Sequence, residues 1–123
     1  MRHVLRLLVL AGLCALLAPC LRAAPASAED QKIEALLAYV GEHKDAVFIR
    51  NGSEYSAGTA VKFLRGKWDR ARDEVKTARD FIDKVATKSS TTGKPYQIRL
   101  ADGTMVSCAD FLAGRLAELE NVH

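Results

Sequence analysis

The sequence is poor in the residues from which most metal, redox and nucleophilic sites are built. It holds three cysteines and three histidines in 123 residues. Cys14 and Cys20 lie in an apolar N-terminal segment, so Cys108 stands alone in the rest of the chain. One cysteine cannot cross-link its own domain, and no CxxC accompanies it. Cys108 is therefore a buried small hydrophobe, an intermolecular thiol or a reactive one, with nothing beside it that points to redox chemistry. Neither His43 nor His123 has a partner at metal-ligand spacing, which leaves no zinc motif. No nucleophile-elbow glycine pattern supports a Ser-His-Asp hydrolase. Gly93-Lys94 is followed by Pro95 and a strand-like segment, where a phosphate-binding P-loop needs Ser or Thr and a helix. No cofactor is implied and no catalytic residue stands out.

An excess of one charge sign is also missing from the part that folds. The whole chain carries 18 Lys+Arg against 15 Asp+Glu, and three of the basic residues (Arg2, Arg6, Arg22) precede Glu29 while no acid does. From Glu29 onward the count is 15 against 15. A neutral domain gives no composition-level reason to expect nucleic-acid or anionic-membrane binding.

What is present at the N-terminus is the layout of a secretory signal peptide over residues 1–28. Arg2 and Arg6 precede an apolar stretch, and Ala26-Ser27-Ala28 supplies the small residues that a signal peptidase accepts before Glu29. Leu7 to Leu21 is 15 residues interrupted by Pro19, short of the roughly 20 that a membrane-spanning helix requires. Cys20 follows Pro19, whose fixed φ suits lipid attachment badly, so a lipoprotein is not expected. The expected product is a periplasmic chain cut at Ala28–Glu29, with no transmembrane helix after cleavage and one domain over 29–123.

Within that domain, Ile33, Leu36, Leu37 and Val40 recur at helical spacing and predict a helix from about Asp30, as N-cap, to His43. Ala46 to Arg50 is short and β-prone, and Asn51-Gly52 accepts the positive φ angles of a tight turn before Ser53-Glu54-Tyr55 returns. Ser56 can cap a helix whose apolar face is Ala60, Val61, Leu64, Trp68, Ala71 and Val75. A second helix is signalled by the capping-box spacing Thr77 to Asp80, ahead of Phe81, Ile82 and Val85. One unbroken helix over 57–87 would run about 46 Å, against about 30 Å for the diameter of such a domain. A break near Asp73–Lys76 is therefore expected. Tyr96 to Leu100, Asp102-Gly103 and Thr104 to Val106 predict a second hairpin. Ser107 then caps a last helix that buries Phe111, Leu112, Leu116 and Leu119. The order predicts an α+β domain: about four helices, and two short β-hairpins forming a small antiparallel sheet.

Four of these segments carry a resemblance. Phe48-Ile49-Arg50-Asn51-Gly52, Ala60 to Leu64, Thr77 to Ala86 and Ser89 to Tyr96, in that order, resemble the YfeK-like family. These are small exported bacterial proteins whose biochemical function is uncharacterised. The resemblance covers most of the stretch from Ile33 to Ile98. It implies a periplasmic location and no reaction. Family members often have His-Leu where this chain has Phe63-Leu64, so chemistry that needs that imidazole has no counterpart here. The part after Leu100 matches loosely.

The segment Ser89–Tyr96 is longer than a helix-to-strand link needs to be. Its hydroxyls, with Lys88 and Lys94, can donate to a carboxylate, a sugar or a peptide backbone. Arg50 and Tyr55 flank the neighbouring turn. The expected function is a binding or interaction module with Arg50, Tyr55, Ser89, Ser90, Gly93, Lys94 and Tyr96 as its binding residues. The expected partner is a cell-envelope protein, peptide or glycan. The bland reading is that Lys88 to Ser90 end the helix, Gly93 permits the turn and Pro95-Tyr96 start the strand. On the binding reading, alanine at Arg50, Lys94 and Tyr96 should leave the fold intact and abolish capture. A second possibility is a small envelope enzyme acting on glycan or peptide, with Glu54 and Asp102 as the carboxylate pair. A third is a structural role in an oligomer with Cys108 at the interface.

Overall fold

Four helices and four strands follow one another in a computed structural model that describes residues 27–121. The segment up to Ala26 that is expected to be a signal peptide, with Cys14 and Cys20, lies outside the described residues, as do residues 122–123. The elements are α1 (Ala28–Glu42), β1 (Val47–Arg50), β2 (Ser53–Ser56), α2 (Ala57–Arg70), α3 (Ala78–Lys84), β3 (Gln97–Arg99), β4 (Met105–Ser107) and α4 (Cys108–Glu120). The two hairpins join through β1 and β3 into one antiparallel sheet of order β2-β1-β3-β4. In its register Phe48 faces Tyr55 on one side and Ile98 on the other. Phe48 and Ile98 are buried, so this row carries the sheet's contribution to the core.

Side-chain oxygens start the helices. Ser56, Thr77 and Ser107 are extended residues whose hydroxyls accept from the backbone N–H three positions on. Thr77 and Asp80 complete a reciprocal capping box, and Asp80 also accepts from Lys76 N at 3.0 Å. Those backbone donors, Lys76 first, hold the Asp80 carboxyl below the usual carboxylate range. The first helix departs from expectation. Its N-cap is Ser27, whose Oγ accepts from Asp30 N at 3.0 Å, and Asp30 sits inside the first turn. Glu29 is then free to reach across the fold. Its carboxylate accepts from Ala78 N at 2.9 Å and pairs with Lys32 at 2.9 Å, which ties the start of α1 to the start of α3.

Residues 57–87 form two helices. The α2 helix ends at Arg70, and a turn at residues 71–74 carries the chain into α3. The break lets Val75 and Phe81 return to the core, where Phe81 meets the Trp68 ring edge-on at 5.9 Å. Ile33, Leu36 and Leu37 of α1, Leu64 and Trp68 of α2, Ile82 of α3, and Leu112 and Leu116 of α4 complete that core between the helices and the sheet. Each such side chain contributes on the order of 1.5–3 kcal/mol when removed from water.

Candidate functional site

The segment after α3 is held as a small closed loop. Ser89 N donates to Lys94 O, Gly93 N to Ser89 O and Tyr96 N to Thr87 O, all within 2.9–3.0 Å. Gly93 has φ +75°, a conformation that glycine adopts without strain. Ser89 is buried at 3 % exposure, and its Oγ accepts from Thr91 N and Thr92 N at 3.2 and 3.3 Å. The β1–β2 turn docks on the same hydroxyl. Asn51, at φ +52°, donates its amide to Ser89 Oγ at 3.3 Å and accepts from the Thr92 hydroxyl through its own oxygen. Two segments far apart in sequence thus meet at one buried serine.

Beside this junction lies a groove of about 460 Å³, within the roughly 300–1,000 Å³ range of small-molecule sites. Arg50, Phe63, Lys67, Arg70, Glu74, Lys84, Ser89, Ser90, Thr91 and Tyr96 contribute to its lining. Four cations therefore face one carboxylate, in a domain that is neutral as a whole.

The partners of these groups decide what they are free to do. Elsewhere Arg65, Arg72, Arg99 and Arg115 are paired with Glu34, Asp69, Glu54 and Glu118 at 2.8–3.0 Å. Arg50 and Arg70 have no carboxylate partner among the described residues. The Arg50 guanidinium lies 4.3 Å from the centre of the Phe63 ring, and its Nε is buried with no hydrogen-bond partner. Lys67 donates to Lys88 O at 2.8 Å and to the Tyr96 hydroxyl at 3.0 Å, leaving one ammonium proton unassigned. Lys84 donates to Glu74 O at 3.0 Å.

The residues expected from sequence are divided by this geometry. Arg50, Ser89, Ser90 and Tyr96 meet at the groove, while Gly93 and Lys94 are absent from its lining. Tyr55 lies with Arg50 on a smaller hollow against Thr59 and Phe63. Tyr96 is only 1 % exposed and forms the floor, packed against Phe48 and Phe63 with ring centres at 5.4 and 5.7 Å. The expectation that alanine at Tyr96 spares the fold is corrected by this burial. Sequence reasoning missed Lys67, Arg70 and Lys84, which reach the groove from the C-terminal ends of α2 and α3. The one available signal was their position in last turns, where cations suit the helix dipole.

The other constellations resolve differently. Glu54 is paired with Arg99 at 3.0 Å, and Asp102 accepts from Thr104 N at 2.9 Å. Both carboxyls are thereby held below the usual range, Glu54 by the Arg99 guanidinium and Asp102 by the Thr104 backbone. A glycosidase-type pair needs one member raised to act as acid. Cys108 has no exposed surface, and burial pushes its thiol up to about 12. That removes it as a surface thiol for a disulfide-linked oligomer. A second concavity of about 610 Å³ lies between α1, α4 and the β3–β4 turn. Its aromatic residues pack with ring centres 4.6–5.0 Å apart, Tyr39 stacked on Phe111 and His43 edge-on to both, and His43 Nδ1 is 2.7 Å from Tyr39 O. Among the described residues no three His, Cys, Asp or Glu side chains are grouped so as to hold a metal ion. No helix among them is long and apolar enough to cross a membrane.

The family model described as "Family of unknown function (DUF5329)" matches residues 27–120. The chain is 46% identical over 68 residues to "Uncharacterized protein YfeK" of Salmonella typhimurium (strain LT2), a match covering 55% of this chain and 57% of the relative. The matched segment thus spans little more than half the length of that curated relative. No solved structure matches significantly.

Proposed function

The chain belongs to the DUF5329 family of unknown function, and from that premise we propose that it is an exported, periplasmic binding module whose working surface is the cationic groove. The observation that carries this reading is Arg50. Its side chain is half-buried, its Nε has no acceptor, and no carboxylate neutralises it among the described residues. Holding an unpaired guanidinium partly desolvated costs free energy, and an anion in the groove offsets that cost. Arg70 and Lys84 extend the same field.

The test is capture by chemical cross-linking from a periplasmic extract, comparing the wild type with an Arg50→Met/Arg70→Met variant. Methionine keeps an apolar stem against Phe63 while removing both charges. The expected result is a bound species retained by the wild type and lost by the variant. Equal capture by both would move the working surface elsewhere.

Export carries a second expected outcome. Cleavage at Ala28–Glu29 would remove Ser27, the cap of α1, and leave the backbone N–H of Asp30 without its side-chain acceptor. Ala24-Pro25-Ala26 offers the same alternate small residues two positions earlier. Cleavage there retains Ser27, where the family match also begins. The mature protein isolated from the periplasm should therefore begin at Ser27 by intact mass. A Glu29 start would show that the cap is dispensable.

A further inference from the structure

Resting on that reading of the groove as a binding site, we infer that its ligand group is a phosphoryl group, carried as a phosphomonoester or a pyrophosphate, rather than a carboxylate. The first reason is charge. Arg50, Lys67, Arg70 and Lys84 face a single acid, Glu74. One carboxylate brings a single negative charge and leaves most of that excess unmet. A phosphomonoester carries about −1.5 to −2 near neutral pH, and a pyrophosphate more.

The second reason is the direction of the donors. A planar carboxylate has two oxygens and is satisfied in its plane by the fork of one arginine. Here the free donors come from three separate parts of the fold. Arg50 ends β1, Arg70 and Lys67 end α2, and Ser90 lies on the loop after α3. Lys67 has two of its three protons placed on Lys88 O and the Tyr96 hydroxyl. That hydroxyl accepts from Lys67, which leaves its own proton for another acceptor. Donors converging from several sides match the oxygens of a tetrahedral group, and arginine's several N–H donors suit them better than a point charge would. Ser89 takes no part as a ligand donor. Its hydroxyl is already committed to Thr91, Thr92 and Asn51.

The experiment titrates the 15N-labelled mature domain with sodium pyrophosphate, glucose 1-phosphate, citrate and glucose. The amides of Phe63, Ala71, Ser90 and Thr91 are followed by NMR. Vesicles containing phosphatidic acid form a parallel cosedimentation arm, which separates a lipid-borne from a dissolved phosphoryl group. The expected result is saturable shifts of the groove amides with a phosphate probe, or saturable vesicle binding, at least about tenfold tighter than citrate. Glucose should be silent, and Arg50→Met/Arg70→Met should lose at least about tenfold in affinity while keeping the wild-type dispersion of its spectrum. Whichever phosphate arm binds tightest names the source. Citrate binding as tightly as the phosphates, and lost by the variant, would overturn the phosphoryl assignment and leave the groove reading standing. Silence of the groove amides and the vesicles toward every probe at millimolar concentration, or equal binding by the variant, would overturn both.

Discussion

Tyr96→Ala is expected to destabilise the domain by about 3–5 kcal/mol, the range for removing a large buried aromatic side chain. The ring has 1 % exposure, packs on Phe48 and Phe63, and lies 4.9 Å from the Lys67 ammonium. Its removal empties the floor beneath the groove and leaves Lys67 with only the Lys88 carbonyl. Domains of this size have about 5–15 kcal/mol of total stability, so the variant should lie close to unfolding at room temperature. Tyr96→Phe keeps the ring and loses only the hydroxyl's contact with Lys67, for about 1 kcal/mol. Urea titration followed by circular dichroism checks both. A Tyr96→Ala midpoint near that of the wild type would mean that the ring is not part of the core. A binding defect in the alanine variant therefore carries no information about ligand contact. The surface is probed by Arg50 and Arg70, whose charged ends can be removed without opening the core.

Tyr96 also marks where the sequence stops being legible. The fold class, the four helices, both hairpins and the break before Thr77 follow from local signals: apolar spacing, Asn51-Gly52 and Asp102-Gly103, and hydroxyls three residues ahead of a backbone donor. Ser27 was missed as a cap because its small size served equally well as part of a cleavage motif, and Asp30 offered a plausible alternative. The site was half visible. A polar loop beside a turn containing Arg50 pointed to the right neighbourhood, and the structure brings the two together at Ser89. Which side of that loop forms the groove depends on how α2 and α3 pack. From sequence Arg70 falls in the run Asp69, Arg70, Arg72, Asp73, Glu74 and Lys76, which looks like a solvated mixed-charge helix face. Only the packing separates Arg72, which pairs with Asp69 and covers Trp68 at 3.7 Å, from Arg70, which faces the groove unpaired. Tyr96, preceded by Pro95 in a polar loop, reads as exposed. Its backbone bond to Thr87 O and its contact with Phe48 turn it inward.

Ser89→Ala is expected to cost about 1–3 kcal/mol, because it strips a buried acceptor from several donors at once. Ser89 Oγ serves Thr91 N, Thr92 N and the Asn51 amide, and it contacts the Thr91 hydroxyl at 2.9 Å. No single replacement partner lies in sequence reach for all of them. Ser90→Ala, on an exposed neighbour that makes none of these bonds, should change stability by less than about 0.5 kcal/mol. The pair separates the serine that builds the loop from the one available to a ligand. Asn51→Gly tests the other half of the junction without adding backbone strain, since glycine accepts the φ of +52° that Asn51 holds. If the β1–β2 turn and the loop form one unit, the two losses overlap. The Ser89→Ala/Asn51→Gly double variant should then be more stable than the sum of the single losses predicts, by about 0.5 kcal/mol or more. Strict additivity in urea titrations would show that the turn and the loop stand independently. The groove wall carrying Ser90 and Thr91 would then hold its shape without Arg50's hairpin, and the one cation of β1, Arg50, and the hydroxyls of the loop would have no mechanical reason to act on one ligand.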